Sequence, residues 1–277
     1  MTSKKDFFNH IVQGNTFKGD SIILGAANLE QETLTNAFVK VPLKTMNRHG
    51  LISGATGTGK TKTLQVLAEQ LSEKGVPVVL MDIKGDLSGL ARPSPGHSKI
   101  DERHKAIGLP FVPKKFPVEL FSISKQNGVR LRATISEFGP VLISRILNLS
   151  ETQSGIVAII FKYCDDHQLP LLDLKDFKAM LNFATNEGKA DFETQYGHIS
   201  KTSTGAILRH LVALEQQGAN LFFGEESFEV RDFARTTIEG KGVLNNRISE
   251  HILTNLSQIG IENHLVKRLN MREQLIK

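Results

Sequence analysis

Hydrophobic positions in the first third of the chain indicate alternating strands and helices. Short β-like runs at 21–24 (SIIL) and 38–41 (FVKV), separated by polar turns, predict a small β-rich segment. Residues 62–74 have helix-forming composition, and Gly75 follows as a preferred helix terminator. The next run, 76–81 (VPVVLM), is apolar and β-branched, which is typical of a strand buried on both faces of a parallel sheet. This order predicts an α/β fold.

The remainder of the chain is predicted to be mainly helical. The runs at 117–123 and 129–134 predict two strands, and Val243-Leu244 predicts the start of a third. Between them, Ser150 with Gln153 forms a predicted capping box, Asp173 is a predicted cap, and Ser200 or Thr202 is predicted to begin a helix that closes at Gly218. The proline- and glycine-rich segment 91–116 predicts an exposed loop with at most a short helix.

One glycine-rich stretch carries chemistry. Residues 54–61 read GATGTGKT, a full G-x-x-x-x-G-K-[ST] match, between an apolar run at 51–53 that predicts a strand and the helix-forming stretch. Glycines let such a loop wrap closely around phosphates at the start of a helix. Lys60 is predicted to reach the β- and γ-phosphates, and the Thr61 hydroxyl to bind Mg²⁺. The predicted nucleotide-binding residues in this stretch are Gly54, Ala55, Thr56, Gly57, Thr58, Gly59, Lys60, Thr61 and Lys62.

The motif and the hydrophobic pattern together predict how the chain is organised. We expect a P-loop NTPase built on a parallel sheet, with a mostly helical insertion lobe. The predicted parts are a β-rich lead-in at 1–45, a nucleotide-binding core at 46–135, a helical lobe at 136–218, a return to the core at 219–243, and a divergent helical tail at 244–277.

Composition excludes some classes of protein. No run approaches the roughly 18 apolar residues of a membrane span, and the N-terminus lacks the apolar core of a secretory signal, so we expect a cytoplasmic location without a membrane partner. The single cysteine, Cys164, excludes an internal disulfide. A net charge of +5 permits nucleic-acid contact without requiring it; the nearest basic cluster is Lys114-Lys115 with Arg130 and Arg132.

A P-loop enzyme also needs an acidic residue at the end of an apolar strand to position Mg²⁺. Asp82, which follows the run 76–81, is the predicted metal-binding acid beside Thr61. Two interpretations of Asp82 stay open: it is that acid, or it ends an ordinary strand near the site and the acid strand lies further on. No later apolar strand ends in Asp-Glu, and we interpret Asp165-Asp166 as a solvated helix end.

Other candidate groups are weaker. The nine histidines show no metal-binding spacing such as H-E-x-x-H. Arg145 and Arg209 have the chemistry of arginine fingers, but each lies on a predicted helix, where a surface ion pair is the commoner outcome. No catalytic residue is assigned from the sequence.

Several long motifs resemble one family. The stretches at 47–65 (NRHGLISGATGTGKTKTLQ), 81–91, 102–108, 132–147 and 222–228 (FFGEESF) closely resemble a bacterial family of HerA-like ATPases, in the class of HerA and FtsK DNA helicases and translocases. The resemblance covers about residues 20–243. It implies an additional-strand, RecA-like P-loop fold, binding of ATP with Mg²⁺, and a ring of subunits that moves DNA. Gly54, Gly59, Lys60, Thr61 and Asp82 match the family positions.

The chain departs from that family after Gly242-Val243. The family continues to an apolar strand ending in Asp-Glu-Ala-His and then to a glutamine-bearing strand, whereas this chain continues Leu244-Asn245-Asn246-Arg247. A frameshifted or shortened gene and a true short paralogue both fit this pattern. Because the acid pair is missing, we expect poor hydrolysis of bound ATP.

Three functions therefore stay open. The first is a HerA-like ATP-binding protein associated with DNA. The second is a kinase- or GTPase-like enzyme that uses Asp82 for the metal, although no N-K-x-D guanine-specificity string is present. The third is a non-catalytic remnant that joins rings of full-length relatives.

Overall fold

The computed structural model describes residues 3–82, 85–123, 125 and 127–248, with side chains described up to residue 246. Within these residues the chain forms two compact units. The first contains Met1–Leu80, Asp86–Glu119 and Ala234–Asn246, and the second is built mainly from Leu120–Phe233. None of the described helices is long and apolar enough to cross a membrane.

Eight helices and six strands are described. The helices are α1 (Lys4–Gly14), α2 (Lys60–Glu73), α3 (Ser98–Ile107), α4 (Ile135–Ile146), α5 (Glu151–Asp166), α6 (Leu174–Thr185), α7 (Lys189–Gln195) and α8 (Lys201–Gln216). The strands are β1 (Ser21–Leu29), β2 (Glu32–Pro42), β3 (Val78–Asp82), β4 (Val118–Ser122), β5 (Val129–Arg130) and β6 (Leu244–Ile248). Short 3₁₀ turns lie at Leu43–Thr45, Ser88–Ala91, Ala219–Leu221 and Val230–Phe233.

The predicted β-rich lead-in is an antiparallel hairpin of β1 and β2. Its two-residue turn places Glu30 and Gln31 at positive φ, the geometry that matches the twist of paired strands. Helix α1 covers the hairpin, with Phe7 and Phe8 against a small buried cluster that includes Leu34. The β-like runs predicted at 21–24 and 38–41 are therefore confirmed, as parts of longer strands.

The main sheet has strand order β3-β6-β4-β5, and β4 pairs in parallel with β5. With its accompanying helices it confirms the predicted α/β class. The prediction that 76–81 is buried on both faces is wrong, because β3 ends the order of the described strands and Val79 is 41% exposed. The predicted strand at 51–53 is also absent from the described residues, and Leu51 there is 90% exposed.

The C-terminal end of α2 is fixed within the first unit. The buried Ser72 hydroxyl donates to the Gly242 carbonyl oxygen at 2.6 Å, and the Gly242 N–H donates to the Ser72 carbonyl at 2.8 Å. A side chain at Gly242 would collide with the backbone of Val76. These contacts join α2 to the chain entering β6, so the end of α2 away from the P-loop is rigidly placed.

The second unit contains a continuous core formed by α4–α8 and the strands beside them. Phe138 packs edge-on against Phe222 and Phe223, and Phe161 packs against Phe177. Helices α4, α5 and α6 each begin with a capping box, at Thr134, Ser150 and Asp173, and Ser200 caps α8. The three caps predicted at 150, 173 and 200 are confirmed.

The other predicted elements differ mainly in length. The strand predicted at 129–134 is a regular strand only at Val129–Arg130, and Ala133 forms a separate bridge to Phe223. Within 91–116, where at most a short helix was expected, α3 has ten residues. The strand predicted from Val243 is β6. The helical tail predicted at 244–277 is therefore wrong for Leu244–Ile248, and the rest of that tail lies outside the described residues.

Candidate nucleotide-binding site

The loop at 54–61 is closed on itself by side-chain contacts to one carbonyl. The Thr58 hydroxyl donates to the Ala55 carbonyl oxygen at 2.8 Å, and the Lys60 Nζ donates to the same oxygen at 2.6 Å. The Thr58 N–H makes a longer contact of 3.4 Å to it. The ammonium group of Lys60 is thus folded back over the loop, at the position where a phosphate-binding lysine is needed.

The glycines of the loop are required by its backbone. Gly57 and Gly59 have φ of 82° and 94°, in the left-handed region that other residues rarely adopt. At Gly54 the constraint is space, because a Cβ there would lie 2.5 Å from the Thr58 Oγ1. Each glycine therefore shapes the loop without filling it.

Helix α2 begins without a side-chain cap. Gly59 occupies the N-cap position and supplies no hydrogen bond from a side chain. The first helical hydrogen bond runs from the Thr63 N–H to the Gly59 carbonyl at 2.9 Å, so the N–H groups of residues 60–62 have no acceptor within the helix. Unsatisfied N–H groups at the positive end of a helix dipole form an anion-binding site.

The predicted binding residues are open to solvent. Residues 54–59 and Thr61 and Lys62 are exposed, and Lys60 is half-buried. The Lys62 Nζ donates to the Gln65 Oε1 at 2.8 Å, within its own helix. The structure therefore brings residues 54–61 together in one concave loop, and directs Lys62 along α2.

Two residues of α2 outside the sequence motif also shape its surroundings. The Gln65 amide donates to the Asp86 carbonyl oxygen at 3.0 Å, which ties the helix to the segment after β3. Burial raises the pKa of Glu69, and the nearby charge of Lys62 opposes that rise. No sequence signal distinguishes these residues, since each depends on which face of α2 is covered.

Asp82 ends β3 as predicted and is buried, with 5% exposure. Its Oδ1 accepts a hydrogen bond from the Gly85 N–H at 2.7 Å. The P-loop falls in the first compact unit and Asp82 in the second. The role of Asp82 toward Mg²⁺ therefore stays a prediction.

The remaining candidates from the sequence have structural surroundings. Asp166 ends α5 and accepts hydrogen bonds from Lys162 and Tyr196, which lower its pKa. Arg145 and Arg209 are exposed, and neither forms an ion pair with the residues described, contrary to the outcome we judged commoner. Across the described parts of the chain, no three His, Cys, Asp or Glu residues are grouped to hold a metal.

A cavity of about 380 Å³ lies within the second unit, and none of its lining residues is among those predicted to bind nucleotide. It has charges of both signs, from Arg132, Lys175, Glu215 and Glu225. The Arg132 guanidinium donates to the Glu225 carbonyl at 2.6 Å, and Glu215 is paired with Lys178 at 2.6 Å. Because Arg132 and Glu215 already have partners within the protein, we assign the cavity no ligand.

Comparison with curated proteins finds a short similarity to one enzyme. Phosphoribosylaminoimidazole-succinocarboxamide synthases from Pelagibacter ubique (strain HTCC1062) and Maricaulis maris (strain MCS10) are 68% and 54% identical over 56 residues. That stretch is 20% of this chain and 22% of each synthase. The chain thus spans about a fifth of the length of these relatives.

Comparison with solved structures finds the bacterial conjugative coupling protein TrwBdeltaN70, crystallised in a trigonal form in complex with sulphate. The TM-score is 0.52 at 15% sequence identity, and the match covers 90% of this chain and 54% of that one. At this identity the similarity concerns the fold, and it supports the predicted P-loop NTPase architecture.

The family comparison covers most of the chain. The model of the family described as Helicase HerA-like C-terminal matches residues 27–256. That range includes the P-loop, Asp82 and the whole described second unit, and it runs beyond residue 243, where the sequence resemblance was expected to stop. The chain belongs to the HerA-like helicase C-terminal family of P-loop ATPases.

Proposed function

We propose that this protein binds ATP with Mg²⁺ at the loop formed by residues 54–61. The carrying observation is the start of α2, where the N–H groups of residues 60–62 have no helical acceptor and no side-chain cap. Nothing lies within 4 Å of the position that a Cβ would take at Gly57 or Gly59, so the loop is open beside these N–H groups. A triphosphate supplies the oxygens that such a group of donors needs.

The chain's own residues divide the work of binding. The Lys60 Nζ, now 2.6 Å from the Ala55 carbonyl, exchanges that neutral acceptor for a phosphate oxygen and forms a charge-assisted hydrogen bond. Thr61 would hold Mg²⁺ through its hydroxyl, and Asp82 would hold it through its carboxylate, directly or through water. When bound, Mg²⁺ neutralises charge on the phosphate oxygens.

We further propose that the protein acts with DNA, as expected for its helicase and translocase class. Assembly into a homo-oligomeric ring, or association with related subunits, is proposed from the same class membership. The support for these finer statements is the family alone. The experiment on nucleotide binding is therefore independent of them.

For turnover we propose a slow enzyme. Hydrolysis needs a group that orients the attacking water, and a carboxylate beside the metal-binding acid commonly supplies it. In this sequence Ile83 and Lys84 follow Asp82, and neither side chain can accept a proton from water at neutral pH. We expect phosphate release close to background, with or without DNA.

The test is a titration of purified protein with fluorescent ATP in the presence of Mg²⁺. Lys60→Ala should weaken binding at least tenfold, because a charge-assisted hydrogen bond contributes about 1.5–3 kcal/mol. Lys18→Ala, which removes an exposed lysine with no ion pair among the described residues, is the matched control. At ATP concentrations near one hundred times Kd, binding should stabilise the wild type by about 2.7 kcal/mol.

Equal affinity of the wild type and Lys60→Ala would refute the site. Asp82→Ala should weaken binding only when Mg²⁺ is present, and an effect without metal would argue for a structural role. Preferred binding of GTP would favour the kinase- or GTPase-like alternative. Robust, Lys60-dependent phosphate release would show that another carboxylate, such as Asp86, Glu225 or Glu226, completes the site.

A further inference from the structure

Most of the net positive charge of the chain lies in one segment. The whole chain carries 34 Lys and Arg against 29 Asp and Glu. Residues 92–115, which we call the basic segment, contain six of those cations and two of the carboxylates, a net charge of +4. The other 253 residues therefore carry 28 cations against 27 carboxylates, a net charge of only +1.

The cations of the basic segment are exposed and almost all unpaired. Lys114 forms an ion pair with Glu73 at 3.3 Å. The other five, all exposed, form no ion pair or side-chain hydrogen bond with residues in the described ranges; they are Arg92, Lys99, Arg103, Lys105 and Lys115. Elsewhere in the first unit both situations occur: Lys4 and Lys74 are paired with Glu32 and Asp20, whereas other exposed lysines are scattered singly along the sequence.

The basic segment is held in place at both ends and near its middle. Its ends meet where the Phe116 N–H donates to the Leu90 carbonyl at 3.1 Å, between two buried side chains. The Thr35 hydroxyl of β2 donates to the Ala106 carbonyl of α3 at 2.9 Å. Gly108 then ends α3 in the left-handed conformation, where a side chain would collide with Asn36.

The cations of α3 stay exposed although part of the helix is covered. Ile107 is buried and Ile100 is half-buried, and both lie on the side facing the rest of the first unit. Lys99 and Arg103 are four residues apart and so lie on one face, where like charges repel. A small cost of this kind is offset when an anionic ligand lies across both side chains.

We propose that the basic segment binds the phosphodiester backbone of nucleic acid. Exposed cations spread along 24 residues match a polymer with regularly spaced charge better than a single compact anion. Four prolines, at 93, 95, 110 and 113, restrict the backbone and reduce the entropy lost when the segment is ordered on a ligand. The inference deepens the proposed function by naming the surface that contacts its polymer.

The experiment measures anisotropy of labelled single-stranded and duplex DNA between 50 and 200 mM KCl. The test variant replaces Arg92, Lys99, Arg103, Lys105 and Lys115 with Gln. The control variant carries the same loss of charge at five exposed lysines without ion pairs among the described residues: Lys5, Lys18, Lys44, Lys175 and Lys201. Both variants are also assayed for ATP binding. Unchanged ATP binding shows that the first unit is folded, so any loss of DNA binding then comes from the substituted side chains.

We expect DNA affinity of the test variant to fall at least tenfold at 50 mM KCl. Each duplex phosphate contact contributes about 0.9 to the slope of log K against log salt, so losing five contacts should shrink that slope by about 4 to 5. The control variant should keep both affinity and slope. ATP affinity should be unchanged in both.

Three results would overturn the inference while leaving ATP binding intact. The first is no DNA binding by the wild type, and the second is an equal loss in the test and control variants, which would indicate net charge alone. The third is that the wild type binds anionic lipid vesicles more tightly than DNA and that the test variant loses this vesicle binding.

Discussion

Helix α2 and four of the five described helices of the second unit begin in different ways. Thr134, Ser150 and Asp173 each close the first turn of α4, α5 or α6 with a side-chain oxygen, and the third residue of each helix bonds back to the cap. At α2 the N-cap is Gly59, which has no side chain to offer. The first turns of α4, α5 and α6 are satisfied by their own side chains, whereas the first N–H groups of α2 receive no side-chain cap.

A second glycine cap shows that the residue type alone does not decide this difference. Gly188 precedes α7, also without a side-chain cap, but the ring of Phe183 occupies the space where a Cβ would lie. At Gly59 nothing lies within 4 Å of that position. Gly188 is needed for close packing against Phe183, whereas the position beside Gly59 is open. The residue type alone therefore does not distinguish the two helix starts.

The largest effect that should separate the two regions is loss of core packing in the lobe. Phe177 is fully buried and its ring centre lies 5.8 Å from that of Phe161. Phe177→Ala should lower the free energy of unfolding by about 3–5 kcal/mol, because a cavity replaces the ring. Leu51→Asn beside the P-loop, at a position 90% exposed, should change it by no more than about 0.5 kcal/mol.

Urea unfolding followed by circular dichroism measures both variants. Equal losses of stability would contradict the contrast between a packed lobe and an open loop. ATP affinity, measured where each variant is folded, should be unchanged in Phe177→Ala.

A smaller effect tests the caps themselves. The Asp173 carboxylate accepts hydrogen bonds from the Lys175 N–H at 2.7 Å and the Asp176 N–H at 3.1 Å. Asp173→Ala should therefore cost about 1 kcal/mol in the free energy of unfolding, measured by urea denaturation, whether or not ATP is present. Asp173→Asn, which can still accept from these N–H groups, should cost clearly less. If the Asn variant lost as much as the Ala variant, charge rather than capping would account for the effect.

The smallest effect concerns α2 and pH. Burial raises the pKa of Glu69, so the folded protein holds a proton there more tightly than the unfolded chain does. Above the raised pKa, the folded protein bears the full cost of burying the Glu69 charge. As pH falls through the raised pKa toward the ordinary value of 4.5, Glu69 takes up a proton in the folded state first, and the free energy of unfolding therefore increases. Glu69→Gln should raise the thermal midpoint at pH 7 and remove this dependence.

Differential scanning fluorimetry at several pH values between 4 and 8 checks the sign. Glu73→Gln is a useful contrast, because Glu73 is paired with Lys114 and Lys241. A higher midpoint for Glu73→Gln than for Glu69→Gln would mean that burial is not the dominant influence on Glu69.

Features that depend on neighbouring residues could be predicted from the sequence. The caps at Ser150, Asp173 and Ser200 were predicted from side chains that bond to N–H groups two or three positions away. The turn at Gly75, just after the end of α2, and the loop at 54–61 depend on backbone angles that glycine alone adopts easily. In these cases the residues that determine the structure are contiguous.

Predictions that needed distant partners were less accurate. The apolar run 51–53 was expected to be a strand, but a strand requires a neighbour, and no described strand pairs with it. The same reason applies to Val79, whose exposure depends on which strands flank β3. An apolar run shows that a segment can be covered, but it does not identify the segment that covers it.

The sequence by itself determined that this protein has a glycine-rich loop before α2, capped helices and an alternation of strands and helices, since each depends on chemistry within a few residues. The tertiary structure alone decided the strand order β3-β6-β4-β5, the junction of Ser72 with Gly242, and the placement of the basic segment by Thr35 and Leu90. Those contacts join residues far apart in the chain, and many alternative pairings satisfy the same local pattern. Only packing of the whole chain selects among them.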